Sequence, residues 1–314
     1  MKIIDDTLLT QVADEAKASP RLRMNYNFHQ SLDDKCHRFL NALEPGTVIP
    51  VHHHPDKAET FVILKGKVRV TTYDDRGLIR ESCVICHEGG RYGVDIPQDV
   101  WHGLECLEPA VLLECKAGPF VEHEVDGILN VKPTKDIYLA GGCFWGTEHY
   151  FKQIRGVAVT EVGFANGHTE NPTYKEVYTD TTGYAETVFV RYYPDEVSLD
   201  FLLRMFFKAI DPTSLNKQGH DEGTRYRTGI YYLDPEDLPT IEKVYASEQE
   251  KYSEPLAVEK LPLQNFHTAE EYHQDYLDKN PDGYCHLPSS LFEFARKAKE
   301  DDTTAGTANI PKGS

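Results

Sequence analysis

The hydrophobic and polar positions of this chain change their period near residue 130, and that change predicts two domains. From about residue 36 to residue 115, apolar and polar residues alternate in short runs separated by turn residues, which is the pattern of an all-β fold. Beyond a polar, proline-bearing junction at residues 130–134, strand patterns mix with longer segments whose apolar residues recur at helical spacing. We therefore predict one domain over residues 1–130, a second over residues 131–300 and a disordered polar tail over residues 301–314.

Within the first domain the pattern predicts one helix followed by strands. Residues 1–16 form an amphipathic pattern whose apolar face consists of Ile4, Leu8, Val12 and Ala16. Two strand runs, residues 59–65 and 67–73, flank Gly66, so we predict a tight turn at this glycine. Residues 74–77 predict a second hairpin turn, and strands at this spacing are typical of a barrel or sandwich.

Within the second domain the pattern predicts a mixture of strands and helices. Residues 137–140 are typical of a buried strand. Ser198 predicts the cap of a helix over residues 199–209, and residues 235–252 form a longer, more charged helical pattern. Residues 268–271 read Thr-Ala-Glu-Glu, a capping box that predicts the start of another helix.

The composition narrows the range of functions. The chain has 314 residues and a formal net charge of −18, which argues against nucleic acids and anionic membranes as partners. No apolar run approaches the length that spans a membrane, and the first six residues carry acids where a secretory signal carries bases, so we predict a cytoplasmic protein. Its seven cysteines are scattered, which in that compartment favours buried or catalytic cysteines over a disulfide framework.

One cysteine lies where the predicted strand gives way to a helix. Cys143 follows a glycine pair and precedes two large aromatic residues, and residues 148–154 carry helical spacing. Free backbone N–H groups and the positive end of the helix dipole would favour a thiolate there, so we predict a thiol pKa below its ordinary value of about 8.5. The rings of Phe144 and Trp145 would enclose a small apolar pocket of methyl size beside the sulfur. This arrangement predicts a reactive cysteine.

Four later segments accompany this cysteine, at residues 171–174, 182–186, 219–227 and 280–285. With them, residues 135–287 resemble the A-type peptide methionine sulfoxide reductases, which act on the S epimer of methionine sulfoxide. The block Gly-Cys-Phe-Trp-Gly-x-Glu around Cys143 is highly specific, and Gly-x-Asp-x-Gly-Thr-x-Tyr-Arg at residues 219–227 supports it independently. The resemblance implies an oxidoreductase that repairs oxidative damage, with an α+β two-layer, ferredoxin-like fold and no organic cofactor.

The resemblance implies a role for each matching position. Cys143 corresponds to the nucleophile, Glu186 to the proton donor and Cys285 to the resolving thiol. The substrate-binding positions are Phe144 and Trp145 for the methyl group, Tyr174 and Tyr226 for the sulfoxide oxygen, and Asp221 in support of that site. Attack by Cys143 on an oxidised protein, a peptide or free methionine sulfoxide would leave a sulfenic acid. Cys285 would convert it into a Cys143–Cys285 disulfide, which thioredoxin or another dithiol reduces.

Physical reasoning on two of these positions agrees with the resemblance. A carboxyl group in a dry, aromatic pocket has a raised pKa, so Glu186 would stay protonated near neutral pH and act as a general acid. Cys285 follows a Pro-Asp-Gly turn and is expected on a mobile tail that can approach the site. The sequence departs from the family pattern at four positions: Phe164, Asn166, Tyr184 and Ile210. The resemblance therefore does not predict the turnover rate or the fine substrate specificity.

Histidines and a glutamate in the first domain predict a metal site. His52 and His54 share a face because strand side chains alternate, whereas His53 points the other way. With Glu59 and His102 they make a donor set of three imidazoles and one carboxylate. Such a set suits a divalent transition metal, and zinc, iron, nickel and manganese all fit it.

The spacing of these donors matches both signatures of the cupins. Gly66 closes the first signature, and Pro97 opens the second. Residues 3–129 as a whole resemble the small WbuC-type cupin metalloproteins, which implies an all-β cupin barrel of the jelly-roll type. Cys106 stands where an asparagine is often found in the second signature.

Our main hypothesis is a cytoplasmic reductase that carries an accessory metal-binding cupin, and two alternative hypotheses remain. In the first, the cupin is the working part, a metal-dependent sugar- or small-molecule-binding module, and the reductase domain is degenerate. In the second, the cupin is an iron oxygenase. The intact reductase positions Cys143, Glu186, Tyr226 and Cys285 argue against degeneracy.

Overall fold

The computed structural model describes residues 1–120 and 129–300. The chain divides into two compact units, Met1–Lys132 and Pro133–Ser314, called here the N-terminal and C-terminal units. The tail predicted to be disordered, residues 301–314, lies outside the described residues. Among the described helices, none combines the length and the apolarity needed to cross a membrane.

The described part of the N-terminal unit is dominated by β-structure, as the alternating pattern predicts. Its elements are α1 (Asp6–Ala18), β1 (Arg23–Asn27), β2 (Cys36–Leu43), β3 (Glu59–Tyr73), β4 (Ile79–Cys86), β5 (Gly93–Ile96) and β6 (Trp101–Ala117). The strands form one antiparallel sheet in the order β1-β2-β6-β3-β4, with β5 paired to β3. Its apolar core includes Phe61 and Ile63 of β3 and Leu112 of β6, which are at most 2% exposed.

Helix α1 starts later than the hydrophobic pattern predicts. Asp5 caps it, because its side chain accepts a 3.0 Å hydrogen bond from the backbone N–H of Leu8. Ile4 therefore precedes the helix and is exposed, so its predicted place on the apolar face is wrong. The buried face of the helix consists of Leu9, Val12 and Ala16.

The predicted turn at Gly66 is wrong, because β3 runs straight through it. The two predicted runs form one strand, and Gly66 lies where the pairing of β3 with β6 shifts register. Gly66 has φ +77°, and a Cβ on it would lie 2.0 Å from the carbonyl oxygen of Pro109. The glycine therefore marks a β-bulge. The second hairpin turn is confirmed, since the N–H of Gly77 donates to the carbonyl of Asp74 at 2.9 Å.

The C-terminal unit combines a six-stranded sheet with helices over its described residues. The elements are β7 (Lys135–Gly141), α2 (Phe144–Lys152), β8 (Val157–Ala165), α3 (Tyr174–Val177), β9 (Ala185–Tyr192), α4 (Leu199–Ala209), β10 (Lys217–Gln218), β11 (Asp221–Glu222), β12 (Thr228–Tyr232), α5 (Leu238–Gln249), β13 (Glu259–Pro262), β14 (Phe266–Thr268), α6 (Tyr276–Lys279) and α7 (Ser289–Lys297). The sheet order is β13-β12-β7-β9-β8-β14, in which only the β12–β13 pair is parallel, and β10 and β11 form a separate hairpin.

Alternation along the central strands gives this sheet two buried faces. Ile137 and Leu139 of β7 join a large core with apolar side chains of α2 and α4. Tyr138 and Ala140, between them, join a smaller cluster on the opposite face. The helix predicted from Ser198 is confirmed, because the Ser198 hydroxyl accepts a 3.2 Å hydrogen bond from the N–H of Phe201 and α4 follows with its predicted bounds.

The capping box predicted at residues 268–271 is wrong. Thr268 is the last residue of β14, where it pairs with Gly163, and its hydroxyl donates to the Glu161 carboxylate at 2.6 Å. Because the backbone and hydroxyl of Thr268 are engaged in the sheet, they are not available to cap a helix. A short 3-10 turn and α6 follow instead of one longer helix. A complete capping box is found at α3, between Thr173 and Glu176.

Candidate functional site

The predicted metal ligands come together in the N-terminal unit. The donor atoms of His52, His54, Glu59 and His102 all lie within 4.8 Å of one another. Oε1 of Glu59 lies 2.9 Å from Nε2 of His54, and its Oε2 lies 3.2 Å from Nε2 of His102. Nδ1 of His52 lies 2.9 Å from the Pro50 carbonyl oxygen, and Nδ1 of His102 lies 2.8 Å from the Val100 carbonyl oxygen. The contact at His52 places the proton of its neutral ring on Nδ1 and leaves its Nε2 available to a metal.

The charge state of this cluster also suits a cation. Burial lowers the pKa of His52 to about 4, so its imidazole is neutral at physiological pH. Burial alone would raise the pKa of the Glu59 carboxyl, but hydrogen bonds to His102 and His54 and the charge of Lys116 outweigh it and lower that pKa. A neutral imidazole at His52 beside an ionised Glu59 carboxylate suits a divalent metal, which binds deprotonated ligands.

Lys116 is the part of this cluster that sequence reasoning missed. Its ammonium lies 2.7 Å from Oε1 of Glu59 and 3.3 Å from Oε1 of Glu114. The pairing of β3 with β6 places Lys116 directly opposite Glu59, and such long-range register is absent from the local sequence. His53 points away, as predicted, with Nδ1 2.9 Å from Asp99. Cys106 is buried, and its thiol donates to a backbone carbonyl at 3.0 Å.

In the C-terminal unit, Cys143 lies between β7 and α2, as the sequence predicts. Gly142 makes the bend, since it has φ +86° and a Cβ on it would lie 2.6 Å from the side chain of Gln218. Helix α2 starts directly after the cysteine, earlier than the predicted residues 148–154. The Cys143 carbonyl accepts a 3.2 Å hydrogen bond from the hydroxyl of Thr147, which fixes the first turn.

The predicted lowering of the Cys143 pKa is wrong. The residue is only 5% exposed, and this burial raises the pKa of the thiol well above its ordinary value. The nearby Glu186 carboxyl raises the pKa further, while the backbone N–H of Trp145 lowers it only in part. The helix start therefore contributes one favourable contact, and desolvation dominates. The resting group is the protonated thiol.

Glu186 has the environment that a general acid needs. It lies on β9, is 1% exposed, and accepts a 3.1 Å hydrogen bond from the backbone N–H of Phe144. Burial raises the pKa of its carboxyl to about 8, and Asp221 adds to that rise, while the Phe144 N–H and Arg225 oppose it. At neutral pH the carboxyl is therefore mainly protonated, in agreement with the prediction.

Tyr174 and Tyr226 lie near enough to Glu186 for its charge to act on both phenols. Burial, followed by the charge of Glu186, raises the pKa of both phenols, so both remain hydrogen-bond donors. The guanidinium of Arg225 lies 4.4 Å from the ring centroid of Tyr226 and 2.5 Å from a carboxylate oxygen of Asp180. This packing holds the Tyr226 ring in place.

The apolar wall beside Cys143 contains more residues than the sequence indicates. The Phe144 and Trp145 ring centroids are 6.3 Å apart, and Trp145 stacks on Tyr276 at 3.8 Å. The indole N–H of Trp145 donates to Nδ1 of His273 at 3.1 Å. Burial lowers the pKa of His273 to about 4, so this ring is neutral. Sequence reasoning assigned this segment to a helix and missed both rings, although a clustered His and Tyr outside a strong helical pattern could have indicated them.

Asp221 and a histidine beside Cys285 complete the surroundings of the sulfur. One donor atom each of Cys143, Asp221 and His286 lies within 4.8 Å of the other two. The hydroxyl of Tyr284 donates to Asp221 at 2.8 Å, which orients that carboxylate. His286 was missed, because a single histidine in a C-terminal segment carries no distinctive signal in the sequence.

Cys285 is packed against the first turn of α2 instead of lying on a free tail. Its side chain is half-buried, and its sulfur accepts a 3.4 Å hydrogen bond from the N–H of Leu287. A Cβ added to Gly146 would lie 3.0 Å from that sulfur, so the glycine leaves the space that Cys285 occupies. Cys285 and Cys143 are both free thiols.

Comparison with known proteins assigns this unit. The family model described as peptide methionine sulfoxide reductase matches residues 135–304, more than half of the chain. The chain belongs to the peptide methionine sulfoxide reductase family. It is 57% identical over 159 residues to peptide methionine sulfoxide reductase MsrA of Clostridium acetobutylicum, covering 51% of this chain and 98% of that protein. It is 53% identical over 164 residues to MsrA of Lachnoclostridium phytofermentans, covering 52% of this chain and 99% of that protein.

The chain also resembles a solved structure and matches a second family model. The crystal structure of reduced Mxr1 from Saccharomyces cerevisiae is similar at 39% identity with a TM-score of 0.48, covering 49% of this chain and 91% of that one. A second family model, described as a domain of unknown function (DUF6016), matches residues 4–85. Membership of the reductase family thus concerns the C-terminal unit.

The four departures from the usual pattern of this reductase family have packing roles. Phe164 is fully buried with its ring centroid 5.8 Å from that of Phe144. Asn166 adopts φ +56°, and its side chain accepts a 2.8 Å hydrogen bond from the N–H of Gln264. Tyr184 is buried and donates to the carbonyl of Thr169. Ile210 follows α4 and would contact a Cβ placed on Gly141 at 3.5 Å.

Proposed function

We propose that the C-terminal unit reduces methionine-S-sulfoxide through Cys143 as nucleophile and Glu186 as general acid, on a two-layer, ferredoxin-like fold. The enzyme is a peptide-methionine (S)-S-oxide reductase. The observation that carries the assignment of roles is the buried Glu186 carboxyl, with a pKa of about 8, beside the buried sulfur of Cys143. A sulfoxide needs a proton or strong hydrogen bonds on its oxygen before its sulfur accepts a nucleophile, and this carboxyl can supply them.

The geometry supports one orientation of the substrate. The methyl group would pack against Phe144 and Trp145, and the sulfoxide oxygen would accept hydrogen bonds from Tyr174, Tyr226 and Glu186. Because burial keeps Cys143 protonated, its proton has to leave as its sulfur attacks, and the sulfoxide oxygen is the acceptor that this site would hold closest. Oxygen then passes to the cysteine as a sulfenic acid, and methionine is released.

Cys285 supports a route for recycling the enzyme. Its thiol, packed at Gly146 on α2, would condense with the Cys143 sulfenic acid to form a disulfide and release water. A dithiol such as thioredoxin would then return both cysteines to the thiol state. Oxidised proteins, peptides and free methionine sulfoxide are the proposed substrates.

We expect Cys285→Ser to complete one turnover and then stop. The variant keeps the nucleophile and the acid but lacks the thiol that resolves the sulfenic acid, so thioredoxin has no disulfide to reduce. Quantifying methionine by chromatography should show one equivalent per enzyme followed by a plateau. Cys36→Ser, which removes an exposed thiol of the N-terminal unit, is the matched control and should turn over normally. Unchanged thioredoxin-dependent turnover in Cys285→Ser would assign resolution to another group.

For the N-terminal unit we propose a cupin barrel of the jelly-roll type with a metal-binding, accessory role. The residues that would hold the metal are His52, His54, Glu59 and His102. Lys116 engages Oε1 of Glu59 at 2.7 Å, which leaves Oε2, on the side of His102, to a metal. Three imidazoles and one carboxylate suit zinc, iron, nickel or manganese and leave coordination positions for a small ligand, which such a metal would polarise as a Lewis acid.

We expect full-length protein purified without chelators to contain stoichiometric transition metal, and His102→Ala to lose most of it. Removal of one of three imidazoles from the donor set weakens binding strongly. Elemental analysis by mass spectrometry provides the measurement, and the wild-type protein should show a higher Tm with metal than after chelation. His53→Ala is the matched control, because this histidine faces Asp99. A wild-type protein without metal above background contradicts the proposed site.

A further inference from the structure

The N-terminal unit contains a cavity of about 570 Å³ next to the histidine cluster. Its volume is in the range of sites for small organic molecules. His52 and Glu59 of that cluster are among its lining residues. The apolar part of the wall comes from Phe39, Ile49 and Phe61. The cavity therefore has room and apolar surface for the carbon body of a ligand.

The cavity wall carries three basic side chains against two acidic ones, although the chain has a net charge of −18. Lys116 bridges the two carboxyl groups of the cavity, at 2.7 Å from Glu59 and 3.3 Å from Glu114. Glu114 also accepts a 3.0 Å hydrogen bond from the amide of Asn41. Both acids of the cavity thus have hydrogen-bond partners among its own side chains.

Two guanidinium groups remain in the wall, those of Arg21 and Arg23. Arg23 is half-buried and donates one N–H to the Val48 carbonyl at 2.6 Å, and Arg21 is exposed. Neither forms an ion pair with a carboxylate in the described ranges 1–120 and 129–300. Burial, followed by the charge of Arg21, lowers the pKa of Arg23, so two like charges lie close together. Such a pair favours an anion between or beside the two groups.

The strand register explains why polar groups converge here. Arg23 and Asn25 are two residues apart on β1 and therefore point to the same side of the sheet. Asn25 pairs directly with Asn41 of the neighbouring strand β2, and both amides line the cavity. Guanidinium and amide groups are thus neighbours in the cavity wall.

We infer that this cavity binds a small organic carboxylate, held by Arg21 and Arg23, with its body against Phe39 and Ile49. A guanidinium presents paired N–H donors that match the two oxygens of a carboxylate. Asn25 and Asn41 would bind hydroxyl or carbonyl groups of the same molecule. The apolar wall favours a carboxylate with a carbon body over an inorganic oxyanion. The inference does not rest on the proposed metal, because neither arginine belongs to the metal cluster.

Calorimetric and thermal-shift titrations of the full-length, metal-depleted protein test this inference. We expect malate and succinate to bind and to raise the Tm, whereas succinamide, the uncharged diamide of succinate, leaves the Tm unchanged. Arg21→Ala should weaken malate binding at least about tenfold, since it removes a charged hydrogen-bond donor. Arg23→Lys, which keeps the charge but not the fork of donors, should also weaken it. Arg80→Ala removes an exposed arginine of β4 outside the cavity wall and should bind like the wild type.

Three outcomes overturn the inference. Malate that neither binds nor raises the Tm excludes the site. Equal responses to succinate and succinamide exclude carboxylate recognition, and sulfate binding as tightly as malate points to a site for inorganic oxyanions. Because the Arg21 side chain is exposed, Arg21→Ala should keep the fold, and weaker binding in this variant would not be due to misfolding. Repeating the titration after loading with zinc separates this site from the proposed metal, since carboxylate binding without metal supports the inference even if the metal proposal fails.

Discussion

Cys143→Ser is expected to abolish the reduction of methionine-S-sulfoxide, with a rate loss on the order of 10⁴-fold or more. The hydroxyl of serine is a far weaker nucleophile than sulfur and cannot accept oxygen as a sulfenic acid. The substitution is nearly isosteric at a site that is only 5% exposed, so binding of the substrate should be retained. Methionine formation from the S epimer, with dithiothreitol as reductant, is the measurement, and the R epimer gives the background.

The control for this prediction is Cys36→Ser, which removes a thiol of the N-terminal unit and should leave the rate unchanged. Thermal unfolding of both variants should show that the fold is retained. Substantial activity in Cys143→Ser would mean that another thiol attacks the sulfoxide, and the proposed roles of the residues around it would then fail together.

Glu186→Gln is expected to lower kcat by about 10² to 10⁴-fold, the usual contribution of a general acid. The amide oxygen of glutamine can still accept the hydrogen bond from the Phe144 N–H, so the geometry is kept and the transferable proton is lost. The pH dependence has a definite sign. The wild-type carboxyl has a pKa of about 8, so the active, protonated form is present below that pH and is lost as the pH rises through it. The variant should lack this alkaline decline.

Glu148 offers a matched control for the assignment of the pH profile. Burial raises the pKa of its carboxyl to about 8 as well, but this carboxyl accepts a hydrogen bond of 3.0 Å from the N–H of Asp275 and has no role in the proposed mechanism. Glu148→Gln should therefore keep the decline of kcat above pH 8 that Glu186→Gln removes. If the decline disappears in Glu148→Gln and persists in Glu186→Gln, the ionising group has been misassigned. Steady-state kinetics between pH 6 and 10 distinguish the two outcomes.

Local signals predicted local structure well. Helix α4 has its predicted bounds because Ser198 caps it and its apolar residues recur at helical spacing, both of which are properties of neighbouring residues. Gly66 was assigned to a turn because a glycine with positive φ suits a turn and a bulge equally, and only the pairing of β3 with β6 decides between them. Thr268 resembled a cap because the sequence does not show that β8 pairs with it.

The same division applies to the two candidate sites. The sequence indicates Cys143 and the four metal donors because their motifs and spacing are distinctive, and it indicates Glu186 through the family resemblance. The structure brings the four metal donors together and places Glu186 near Cys143. The sequence did not indicate Lys116, His273 or His286, which reach the sites by strand pairing and chain packing. It also predicted the wrong direction for the pKa of Cys143, because the cost of burying a charge depends on the whole fold.

The burial of Cys143 has a consequence for the survival of the enzyme. Peroxides and alkylating agents react with thiolates, and a thiol that is 5% exposed and held in its neutral form offers them little to attack. A catalyst that works amid the oxidants whose damage it reverses would thereby keep its own sulfur intact while idle. The thiol would react only when a bound sulfoxide fills the pocket and its oxygen can accept the thiol proton.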